Sequence, residues 1–107
     1  MNVNNMTYIT DRLTEEELAD MVIEECAKLT QALCKFKRLR SNNHTPKKEK
    51  EVMESIDEEL IDTHLAMEIL MHKFSTDNFM PLEVLERIEE KLERWVARLK
   101  DNDKDKL

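Results

Sequence analysis

A chain of 107 residues without a single glycine is a poor candidate for tight turns. Hairpin turns and left-handed caps draw on glycine because it alone tolerates positive φ at little cost. With only two prolines as well, the chain reads as a few long helices joined by short polar loops, and a β-rich fold is excluded. The length suits one domain with a modest core. Charged residues make up 38% of the chain, both signs interleaved, and aromatic residues only 5%. The apolar residues recur periodically, so the charge does not signal disorder. A net charge of −7 argues against general nucleic-acid binding, which needs a basic face to neutralise phosphates.

No apolar run approaches a membrane span, and the opening "MNVNNMTYITDR" lacks the apolar stretch of a signal peptide. Cys26 and Cys34 stand eight apart on one predicted helix, about 12 Å along its axis, too far to pair with each other. These features predict a soluble, reduced, cytoplasmic protein with no membrane partner.

Residues 1–13 read as a polar N-terminal arm that packs on the bundle. Thr14 opens "TEEE", a capping-box pattern in which Thr14 caps and Glu17 reaches back. Leu18, Val22, Leu29, Leu33 and Phe36 then recur at helical spacing to about residue 40, with a gap in the stripe at Glu25. "SNNHTP" (41–46) breaks the helix, and Thr45-Pro46 supplies an N-cap and a first-turn proline for the next. A second helix runs to about Phe74, with Val52, Ile56, Leu60, Thr63, Met67, Leu70 or Met71, and Phe74 on its core face. After a break at 75–81, a third helix carries Leu82, Leu85, Ile88, Leu92, Trp95 or Val96, and Leu99, and frays in the tail 101–107. The expected fold is all-α: an antiparallel bundle of three long helices over 14–100 plus the short arm. Helices of about 25 residues are near 40 Å long and leave apolar surface uncovered, so a homodimer or homotetramer is expected to complete the bundle.

Residues three apart on a helix share a face. Glu59 and Asp62 therefore point the same way, as do Glu25 and Lys28 one helix earlier. In so acidic a chain, such a pair on an exposed face is expected by chance. Glu25 is different, because it interrupts an apolar stripe, and a buried unpaired carboxylate costs several kcal/mol. Carboxylates converging between helices suit Mg²⁺, which prefers oxygen ligands and bridges to phosphates.

Glu24-Glu25-x-x-Lys28 followed by Glu59-x-x-Asp62 resembles the "EExxE … ExxD" signature of the all-α nucleoside triphosphate pyrophosphatases, the MazG-like and dimeric dUTPase group. "EKLERW", with Lys91 and Arg94, is similar to a basic Lys-x-x-Arg element of small members. The resemblance covers roughly residues 14–100. It implies hydrolysis of a nucleoside triphosphate to the monophosphate and pyrophosphate, with Mg²⁺ as cofactor. Glu25, Glu59 and Asp62 would be metal ligands and catalytic residues. Lys91 and Arg94 would contact phosphates, joined by Lys35, Lys37 and Arg38.

Lys28 departs from that pattern. It occupies the third glutamate position, and a charged ammonium has no lone pair for a metal. It would instead stand in for the cation between Glu25, Glu59 and Asp62. An inactive relative that binds or sequesters a nucleotide, or regulates a partner, is the alternative this residue raises; a plain helical interaction module is the third. His44, His64 and His72 lack zinc-ligand spacing and read as structural or surface residues. The seven methionines read as core and contact filling.

Overall fold

The computed structural model describes residues 2–41, 46–78 and 84–105. Four helices follow in order: α1 (Val3–Thr10), α2 (Glu15–Ser41), α3 (Pro46–Asn78) and α4 (Val84–Asp105). The all-α class is as expected, with no strand among the described residues. None of the helices is long and apolar enough to cross a membrane.

Local chemistry sets the helix ends. The Asn2 side chain accepts a hydrogen bond from the Asn5 N–H (3.2 Å) and starts α1, so the expected arm is itself an eight-residue helix. The capping box at α2 forms reciprocally: the Glu17 N–H donates to Thr14 Oγ1 (3.1 Å) and the Thr14 N–H to Glu17 Oε1 (3.2 Å). Pro46 is the first residue of α3, where its missing N–H would have had no partner. Thr45, His44, Leu82 and much of the second break lie outside the described residues.

Two helices outlast their predicted ends. α3 continues through Asn78 rather than stopping near Phe74. Its added turn holds together locally, with the Thr76 hydroxyl on the His72 carbonyl (3.0 Å) and Lys73 paired to Asp77 (3.3 Å). α4 continues to Asp105, into the segment expected to fray, since nothing in "DNDKD" forbids helix.

α2 and α3 form an antiparallel hairpin, pinned at intervals. Arg40 pairs with Glu49 (2.9 Å) near the loop, and the Thr63 hydroxyl donates to the Glu25 carbonyl (3.3 Å) at mid-length. Near the open end Lys73 Nζ donates to the Thr10 carbonyl (2.7 Å), which ties α1 to α3. The buried seam follows alternating steps of four and three. On α2 it is Leu18, Val22, Glu25, Leu29, Ala32, Phe36 and Leu39; on α3 it is Val52, Ile56, Glu59, Thr63, Ala66, Leu70 and Lys73, all buried or half-buried. This spacing is that of helices packed nearly side by side.

The seam corrects part of the predicted core. Leu33, Leu60 and Met67 are 41%, 50% and 41% exposed. Their places are held by Ala32, Glu59 and Ala66, one position earlier in each case. Small alanines let the helix backbones approach closely, and larger neighbours are displaced to the flank.

α4 makes no backbone approach within 8 Å to the other helices among the described residues. Its first turn faces α3 and α1 only across a groove lined by Val84, Leu85, Ile88, His64, Met71 and Met6, among others. The radius of gyration is accordingly 18.4 Å, against about 13 Å for a compact domain of this length.

Candidate functional site

Two glutamates occupy seam positions that elsewhere, apart from Lys73 at the open end, hold apolar or small residues. Glu25 lies on α2 and Glu59 on α3, one helical turn from Thr63, the residue that bonds to Glu25 across the seam. Asp62, one turn after Glu59, adds a third carboxylate at the edge of the seam. One oxygen from each of the three lies within 4.8 Å of the others. Glu25 and Glu59 are half-buried and Asp62 is exposed.

The electrostatics of the cluster are unbalanced. Glu25 Oε2 and Glu59 Oε2 are shielded from solvent and have no hydrogen-bond partner. Burial pushes the Glu59 carboxyl above its ordinary value, and the neighbouring Glu25 charge pushes it further; Lys28 opposes the rise. A proton on Glu59 would also furnish the donor that Glu25 lacks. This is the behaviour of carboxylates crowded without enough positive charge.

Lys28 supplies only part of that charge. Its ammonium lies 3.4 Å from Glu25 Oε1 and 3.5 Å from Glu24 Oε1. Those two acids, Glu25 first, hold the ammonium above its ordinary pKa. Of the expected pairings of Lys28 with Glu25, Glu59 and Asp62, the one with Glu25 is present. Lys28 shows no ion pair within 4.0 Å to Glu59 or Asp62 among the described contacts, and its side chain is 47% exposed. Helix geometry is the reason, because Glu24 and Glu25 sit one turn before Lys28 on its own helix, where pairing costs least.

The remaining candidates are distributed elsewhere. Lys35 lies on the same flank as Lys28, one heptad on, about 10 Å along the axis, beside a small cleft with Ala32, Glu51, Val52 and Ser55. Lys37 and Arg38 are exposed farther toward the loop. Lys91 and Arg94 are exposed on α4, a helix that does not pack on α2 or α3. The fold gathers the carboxylates and leaves these cations apart from them. His72 lies within 3.4 Å of the Thr7 hydroxyl and His64 within 3.9 Å of Glu68, in keeping with structural and surface roles. Glu24 as the second partner of Lys28 was not foreseen, although the i,i+4 spacing signals it.

Oxygen-only ligands, with two shielded oxygens lacking donors, fit a hard divalent cation such as Mg²⁺. Lys28 is the one group at the cluster that opposes it. The chain matches no protein-family profile, no curated protein and no solved structure.

Proposed function

We propose that the Glu25/Glu59/Asp62 cluster is a divalent-cation site for a nucleoside triphosphate, of the pyrophosphohydrolase type, weakened by Lys28. The observation that carries this reading is the convergence of three carboxylates within 4.8 Å, two of them at seam positions with shielded, donor-less oxygens. A stable hairpin gains nothing from that arrangement alone, since apolar residues of similar size would pack without repulsion. A bound Mg²⁺ would supply charge to the phosphates and lower the pKa of a water. Glu25 and Glu59 would hold it from the seam, and Asp62 from the solvent edge. Lys35 is the nearest of the five candidate phosphate contacts along the flank of Lys28.

A second reading has its own support. Lys28 pairs with Glu24 and Glu25, and an ammonium there competes with a metal for the same carboxylates. On that reading the chain binds a nucleotide or regulates a partner without turnover.

The two separate by experiment. Pyrophosphate release from a panel of triphosphates at millimolar Mg²⁺ is measured for the chain and for Lys28→Glu, with Mg²⁺ affinity followed by calorimetry. The proposal expects Lys28→Glu to raise Mg²⁺ affinity by about tenfold or more and pyrophosphate release with it. Nucleotide binding without turnover in either form supports the second reading. Absence of both cation and nucleotide binding in either form rejects the two together.

A further inference from the structure

Residues one step before the seam positions, Lys28, Lys35 and Asp62, line one face of the hairpin. Residues one step after them, Cys26 and Leu33 on α2 and Met53, Leu60 and Met67 on α3, line the opposite face, because the two helices run antiparallel. That second face is apolar and open, with its four large side chains 41–50% exposed. From Met53 to Met67 it extends fourteen residues, about 21 Å. α4 carries a matching stripe, Leu85, Ile88, Leu92, Trp95 and Leu99, also fourteen residues long and 54–79% exposed. Each is a helical surface of the kind that packs on another.

Charge decides which copy of the hairpin α4 fits. The loop end of the hairpin is net basic: Lys37, Arg38 and Arg40 on α2 and Lys47, Lys48 and Lys50 on α3 outnumber Glu49 and Glu51 there. The open end is acidic, with Glu15, Glu16, Glu17 and Asp20 on α2 and Glu68 and Asp77 on α3. α4 is also polarised. Residues 84–93 hold four acids and two bases, a net negative half, whereas residues 94–105 hold four bases and three acids, a slightly positive one. Opposite charges meet only if α4 begins at the loop end and runs parallel to α3.

Its own chain cannot supply that arrangement. α3, with 33 residues, is about 50 Å long, while the steps from Asn78 to Val84 span at most about 20 Å. α4 therefore starts beside the open end, as the groove it shares with His64 and Met71 attests. Folded back on its own hairpin, it would lay its acidic half on the acidic end. We propose that α4 docks on the apolar face of a second copy's hairpin, parallel to that copy's α3, and that two copies exchange α4 reciprocally. Apolar burial supplies the affinity, and the charge polarity sets the direction and disfavours closure within one chain. The inference is independent of the carboxylate cluster, which faces the other way.

Trp95 is the chain's only tryptophan and reports on the α4 stripe directly. Mass by light scattering and Trp95 emission are followed together from nanomolar to about 100 µM, a range reaching well past the affinity of typical specific interfaces. The expected result is a doubling of mass in step with a blue shift, weakened by added salt. Leu60→Glu on the hairpin and Leu92→Glu on α4, both at exposed positions and checked for helicity, should each weaken dimerisation more than about thirtyfold. Arg94→Glu with Arg98→Glu should also weaken it. A monomer with blue emission at every concentration would mean closure on the same chain and overturn the proposal. A monomer with red emission throughout would leave the face to a different partner and overturn it equally. So would a dimer that survives Leu92→Glu unchanged.

Discussion

The α2–α3 hairpin and α4 carry stripes of the same kind, yet one is buried and the other is not. Leu18 in the hairpin is 1% exposed, while Leu92 on α4 is 56% exposed. The spacing of apolar residues is equally regular in both. Periodicity specifies which face of a helix seeks cover, and it says nothing about what provides it. In the hairpin, Ala32 and Ala66 are buried at 5% each and allow close approach, and Thr63 bonds across the seam. α4 has no such counterpart among the described residues.

The sharpest test of that contrast is truncation at equivalent leucines. Leu18→Ala should cost about 2–5 kcal/mol of unfolding free energy, the range for deleting a packed core leucine. Leu92→Ala should change the stability of the monomer by less than about 0.5 kcal/mol. Urea denaturation of dilute protein measures both. Equal losses would mean that α4 is packed within the chain after all.

A smaller effect is expected at the cross-seam bond. Thr63→Val keeps the shape and removes the hydroxyl that donates to the Glu25 carbonyl, for a loss of roughly 1 kcal/mol. The same denaturation experiment applies, and no loss would show that the seam is held by packing alone.

The smallest expected effect concerns the charge within the seam, and its sign follows from proton linkage. Glu59 titrates above the ordinary value of 4.5 because of burial and then Glu25. Between the ordinary and the raised value the folded chain binds more protons than the unfolded one, so stability falls as pH rises through that window. Below 4.5 both states are protonated and the penalty disappears. Glu59→Gln should therefore raise the thermal midpoint at pH 7 by a few degrees and leave it little changed near pH 3.5. A midpoint lowered at pH 7 would show that the Glu59 charge is already compensated.

Several features were legible in the residues themselves. The helix starts at Thr14 and Pro46 depend on local chemistry, as does the facing of Glu59 and Asp62, so no tertiary information was needed for them. The convergence of Glu25 with that pair was also foreseeable, because a carboxylate in an apolar stripe must meet something. The ends of α3 and α4 were misjudged because polar residues permit helix as readily as loop, and neighbouring turns decide between them. The displacement of Leu33, Leu60 and Met67 from the core was hidden for a related reason. A helical stripe tolerates a shift of one residue, and hydrophobicity favours the larger side chain over the alanine beside it.

By itself, the sequence determined the all-helical class, the helix starts at Thr14 and Pro46 and the carboxylates that share a helical face, since glycine content, capping and i,i+3 spacing act within a few residues. Only the tertiary structure decided which side of each helix forms the seam, and that α4 stands apart from the hairpin among the described residues. Those outcomes depend on how closely two backbones approach and on which charges lie across the gap, quantities that no single helix contains.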